Sequence, residues 1–150
     1  MKNELLSREE EFFLLNINGL GSLYCEDIYA LDLHPVKQKL QDPSGKRPWS
    51  KHKCESTELA YKRFLTLKRM FPGKLLSPSP SIHEFWRQHY LDKEKYANDC
   101  HQVFGYYMGK LLWQQKHLRE SEEHLEQASK YTLHLYKTYF REQGPGQGSN

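Results

Sequence analysis

Cysteine is scarce in this chain: Cys25, Cys54 and Cys100 are three in 150 residues, and no two form a Cys-x-x-Cys pair. An odd, sparse set excludes a disulfide scaffold and points to reduced thiols in a cytosol-like, cytoplasmic setting. Long hydrophobic runs are missing as well. Residues 1–30 hold no apolar core of a leader, and no window approaches the ~20 apolar residues that a membrane-spanning helix needs. Charge of one sign is also in short supply. A formal net charge of +3 is too small and too evenly spread to argue for a nucleic-acid partner. The densest basic stretch, Lys46-Arg47-Pro48-Trp49-Ser50-Lys51-His52-Lys53, reads as a solvated loop. No glycine-rich phosphate loop is present: Gly19-Leu20-Gly21 lacks both a flanking strand and a third glycine. Alternating strand patterns and internal repeats are absent too.

Aromatic residues are plentiful. Ten Tyr, seven Phe and three Trp let a chain of modest hydrophobicity fill one core from few positions. The expected architecture is all-α, a single compact bundle of about five or six helices over residues 1–142, with 143–150 a disordered tail. Ser7-Arg8-Glu9-Glu10 reads as a capping box before Phe12 to Leu15, and Gly19 to Gly21 should stop that helix. Residues 24–33 are ambiguous. Pro35 suits the first turn of a helix that carries Val36 and Leu40, and Asp42-Pro43-Ser44-Gly45 signals a turn.

A long helix is predicted from about Ser50 to Phe71. Ala60, Phe64, Leu67 and Phe71 form its apolar face, widened by Leu59, Tyr61 and Leu65, and Pro72-Gly73 stops it. Ser79 is placed to cap the next helix, with Pro80 at its first position. Beyond Asp92, Tyr96, Cys100, Val103, Phe104, Tyr107 and Leu111 make an apolar stripe. Gly105 and Gly109, four apart, either allow close helix packing or mark a break. Ser121 is the expected cap of a last helix with Leu125, Ala128, Thr132, Leu135 and Tyr139 on its inner face.

The chemistry concentrates in residues 85–100. At four-three helical spacing, Phe85, His89, Asp92, Tyr96, Asp99 and Val103 share one stripe. A plain core stripe carries aliphatic residues there; buried polar groups must be hydrogen-bonded, metal-bound or costly. One reading is a metal centre of His89, Asp92, Asp99 and Cys100, with His83 or His101 recruited. Imidazole and carboxylate suit iron or zinc, and a thiolate strengthens both. The other reading is structural, with Asp92 a cap or simply within one continuous helix, Tyr96 a core ring, Asp99 paired with a lysine and Cys100 a small buried hydrophobe. The di-iron signature Glu-x-x-His occurs nowhere, and His83-Glu84-Phe85-Trp86-Arg87 has Arg where a second zinc ligand belongs. Cys100 and His101, adjacent on a helix, point about 100° apart and make no dyad by themselves. His117, Glu120, Glu123 and His124 read as a solvated face.

Several blocks together resemble one family. Leu31 to Asp42 resembles an LDL-x-x-I-K-x-K-L-M-D segment, Trp49-Ser50 a helix-opening W-S, and Tyr61 to Leu67 a Y-R-R-F-L-x-L motif. Phe85 to Tyr106 is similar to F-W-H-x-H-I-L-D-T-x-K-Y-x-x-D-C-x-x-x-F-G-Y. Glu122-Glu123, Thr132, Leu135-Tyr136 and Phe140 resemble a closing helix. In order and spacing, residues 31–140 resemble the bacterial family labelled glycine-rich domain-containing protein-like. That family's W-H-x-H-x-x-D pattern, with a later His-His pair, looks like a metal site by ligand type. The resemblance keeps His89, Asp92, Tyr96, Asp99 and Cys100. It puts Arg87 in place of the first His and Met108-Gly109-Lys110 where the pair would stand.

A guanidinium beside an ion is unfavourable in a poorly screened site, whereas it can bridge a carboxylate bidentately. The resulting expectation is a degenerate metal-site scaffold with no cofactor, in which Arg87, His89, Asp92, Tyr96 and Asp99 form a salt-bridge network. The chain would then be a non-catalytic module acting through protein partners. The alternatives are a metal-binding protein or metal-dependent enzyme, and a secreted bacterial effector acting in a host cytosol, suggested by the acidic block Glu120 to Glu126 near a small-residue tail.

Overall fold

Ser50 starts the longest helix because its hydroxyl oxygen accepts the Lys53 backbone N–H at 3.0 Å, satisfying one of the amides that a helix start leaves unpaired. The computed structural model describes residues 25–72, 74–109 and 122–140. The capping box at Ser7, the Gly19-Gly21 stop, Leu111, His117, Glu120, Ser121 and the 143–150 tail lie outside the described residues. Within them the structure is all-helical, with α1 Glu26–Tyr29, α2 His34–Gln41, α3 Lys51–Met70, α4 Pro80–Leu91, α5 Lys93–Phe104 and α6 Glu122–Phe140. No helix among the described residues is long and apolar enough to cross a membrane.

Helix α3 is the axis of the bundle. Its 20 residues, about 30 Å of helix, pack against α1, α2 and α4, and α4 in turn packs on α2 and α5. Tyr61, Phe64, Leu65 and Leu67 of α3 are buried with Phe85 and Trp86 of α4. Their rings meet at 5.1 Å between centroids for Tyr61–Phe85 and 5.3 Å for Phe64–Trp86, tilted as aromatic quadrupoles prefer. The face is turned slightly from the one expected. Leu59 is 45% exposed, and Tyr61 stands at the centre of the core.

Helix α6 is joined to the rest by polar as well as apolar contacts. The Tyr136 hydroxyl donates to the Ala60 carbonyl. Thr132 Oγ1 accepts the Ser77 N–H at 2.8 Å and donates to the Ala128 carbonyl at 2.7 Å. Tyr139 packs on Phe71 at 6.0 Å. The expected inner stripe of Ala128, Thr132, Leu135 and Tyr139 is buried.

Two breaks shape the part of the molecule that matters below. At Asp92 (φ −85°, ψ 82°) the chain leaves the helical region, closing α4 and opening α5 at one residue. At Gly105 the backbone turns left-handed with φ 80°, and the Gly105 N–H bonds back to the Cys100 and His101 carbonyls. That geometry is open to glycine at little steric cost. The stripe expected to run on through Tyr107 therefore ends at Phe104, and Tyr107 sits in the segment beyond the helix.

Candidate functional site

The break at Asp92 is what lets the polar residues of α4 meet those of α5. On one continuous helix, ten residues separate groups by about 15 Å along the axis. Here two pairs ten residues apart are in direct contact. His89 Nε2 lies 2.8 Å from Asp99 Oδ2, and the Trp86 indole N–H donates to the Tyr96 hydroxyl oxygen at 3.0 Å. The Tyr96 hydroxyl in turn donates to the Met108 carbonyl at 2.6 Å. The second imidazole nitrogen, Nδ1, is 2.7 Å from the Tyr61 hydroxyl, contributed by α3. The ring itself is boxed edge-on by Tyr61 at 5.8 Å and Tyr96 at 4.9 Å.

Proton positions follow from the partners. Asp99 is ionised and only accepts, so Nε2–H is the donor in that pair. Among the described residues Tyr61 has no other acceptor, and its burial holds the phenol proton on well above the ordinary range, so it donates to Nδ1. Asp99 takes a second bond from Lys95 Nζ at 3.1 Å, one helical turn away. Burial pushes the Asp99 carboxyl up, but the hydrogen bonds from His89 and Lys95 and the positive charge of Lys95 outweigh it and hold the group below its ordinary value.

Hydroxyl, imidazole and carboxylate are thus in the order that activates a nucleophile, but the setting is wrong for it. Tyr61 is 0% and His89 2% exposed, so no substrate reaches the phenol, and the phenol keeps its proton. The Cys100 thiol is pushed up by burial, against opposing hydrogen bonds from the Met108 backbone and Tyr96, and is not a thiolate at neutral pH. His101 is exposed while Cys100 is buried, as expected for neighbours on one helix.

The structure brings together His89, Tyr96 and Asp99. It leaves out Arg87 and Asp92. Arg87 lies on the outer face of α4, 44% exposed, and pairs with Glu84 at 3.3 Å rather than with Asp92 or Asp99. The expected guanidinium bridge is replaced by the Lys95 ammonium, which stands one turn before Asp99 on the same face of α5. Asp92 makes no side-chain cap bond and lies instead at the rim of an open hollow of about 320 Å³, with Glu94, Lys95, Asn98 and Asp99. His83 is half-buried, and its Nε2 has no hydrogen-bond partner. Among the described residues, no three His, Cys, Asp or Glu side chains are grouped so as to hold a metal ion. The set His89, Asp92, Asp99 and Cys100 is therefore not assembled as a ligand cage.

Sequence reasoning missed Tyr61 as a member of the network. The lysine it allowed beside Asp99 is Lys95, four residues before it. Tyr61 was not legible, because its partner comes from another helix 28 residues on. The chain matches no protein-family model, no curated protein and no solved structure.

Proposed function

We propose that this chain is a non-catalytic helical module that works through protein contacts, and that its polar core is the degenerate scaffold of a metal site. One observation carries the reading. Both ring nitrogens of His89 are engaged by protein groups, Tyr61 on one side and Asp99 on the other. An ion would have to displace one of them, and the displaced group would be left buried and unpaired, at a cost of about 1–3 kcal/mol for a neutral group and more for a charge. Lys95 already supplies the positive charge that Asp99 would otherwise take from a cation. The resemblance to the glycine-rich domain-containing protein-like family belongs to the same proposal. His89, Tyr96 and Asp99 occupy the family's polar positions, and the protein's own groups satisfy them. Leu59, Leu75 and Leu91, apolar side chains left on the surface, are groups that a protein partner could cover.

The ring nitrogens of His89 test this directly by ¹⁵N NMR. Nδ1 is expected at the shift of an unprotonated, hydrogen-bonded nitrogen and Nε2 at that of a protonated one, unchanged when Zn²⁺ or Fe²⁺ is added in excess. Stoichiometric metal retained on purification and lost in His89→Ala would overturn the proposal in favour of a metal protein.

A further inference from the structure

Two lysines among the described residues are buried, both on α3, and their surroundings differ. Lys62 donates to the Tyr29 carbonyl at 2.8 Å and pairs with Glu58 at 3.1 Å. Lys68, six residues on and 6% exposed, has no acceptor and no counter-charge among the described residues. Burial alone draws its ammonium pKa down, with nothing opposing it. A lysine held in this way is normally paired or replaced by an apolar residue. Lys68 instead lines a cleft of about 540 Å³ together with Tyr90, Tyr106, Tyr107, Met108 and Gly109.

Three of the residues that line the cleft are tyrosines. Of these, Tyr106 and Tyr107 are each about half exposed. Tyr107 sits 5.6 Å from Tyr96 and 6.5 Å from Tyr90, so the wall is anchored on rings packed in the core. Gly109 contributes by having no side chain, since a Cβ there would lie 2.7 Å from the Tyr107 ring. We infer that this cleft binds a small planar carboxylate, with the anion against the Lys68 ammonium and the ring between the tyrosine faces. One cation matches one negative charge. A phosphate dianion would leave net charge buried, and its recognition favours the forked donors of arginine. The volume lies within the range of small-molecule sites, about 300–1,000 Å³. The cleft adjoins the network through Tyr96, which bonds the Met108 carbonyl and packs on Tyr107, but neither His89 nor Asp99 lines it, and the inference does not rest on the reading given above.

Titration of the full chain with indole-3-carboxylate and with its neutral isostere indole-3-carboxamide, followed by amide NMR shifts, tests the inference. The carboxylate is expected to bind at least tenfold more tightly, moving the Lys68, Tyr107 and Met108 signals and leaving the His89 ring nitrogens in place. Lys68→Met should abolish the tenfold preference while keeping helical content and raising Tm. A second readout needs no variant. In protein reductively methylated with ¹³C, the Lys68 methyl signals should titrate at higher pH with the carboxylate present and not with the carboxamide. Equal affinity for the two probes, no binding of either, retention of the preference in Lys68→Met, or full competition by equimolar inorganic phosphate overturns the inference.

Discussion

Tyr61 and Arg87 illustrate how burial rather than residue type decides what a polar side chain is worth. Tyr61 donates to His89 Nδ1 and both side chains are buried, so Tyr61→Phe leaves that nitrogen buried and unpaired. A loss of about 1–3 kcal/mol is expected, read as a lowered urea midpoint with unchanged slope. A loss below about 0.5 kcal/mol would mean that the ring turns to another donor. Arg87 is the contrasting case. Its pair with Glu84 is exposed on both sides, and such pairs contribute about 0–1 kcal/mol. Arg87→Ala should move the midpoint little and leave the His89 ring signals untouched. A shift in those signals would restore Arg87 to the network in which its position in the sequence placed it. Lys68 is the opposite case, an ammonium buried without a partner among the described residues, which costs stability.

At the scale of elements, the caps rank themselves by hydrogen bonds actually made. Ser50 and Ser79 accept from the third amide of their helices, at 3.0 and 3.3 Å, so Ser50→Ala and Ser79→Ala should each cost about 0.5–2 kcal/mol in thermal or urea unfolding. Asp92 makes no such bond, and Asp92→Ala should fall well below both; an equal cost would show that its side chain, and not the tertiary packing of α5, sets the break. This ordering shows what could be read without the fold. Ser79-Pro80, Pro35 and the turn at Asp42 to Gly45 are local chemistry, settled within four residues, and each stands where the sequence put it. The break at Asp92 is not legible in the sequence because no local signal there is strong: the residue tolerates both a cap and a helix interior. The stripe through Tyr107 failed for the opposite reason. Its periodicity continues, but Gly105 at φ 80° ends the helix beneath it. His89 and Asp99 are legible as polar members of one stripe, while their direct contact depends on that break.

Across the whole molecule, depressed carboxyls tie separate helices together. Asp99 is held down by His89 and Lys95 against the upward push of its burial. Asp27 is held down, again against burial, by a forked pair with Arg69 at 2.7 and 3.1 Å, and Arg69 also donates to the Val103 carbonyl, joining α1, α3 and α5. Glu58 is likewise lowered by Lys37 and Lys62 acting against its burial. The sign is the same for all three. A carboxyl whose native pKa lies below its unfolded value releases its proton more readily in the folded state. Its stabilising contribution is complete above the unfolded value, near 3.8 for the aspartates and 4.5 for the glutamate, and is lost as pH falls through the native value. The protein should therefore be destabilised progressively below about pH 4–5. In Asp99→Asn the site cannot titrate, so the variant should be less stable than the parent at neutral pH, and the gap should close as the pH falls toward about 2. Urea midpoints for the two proteins at a series of pH values measure this, and parallel curves would show that the Asp99 carboxylate contributes no proton-linked stability.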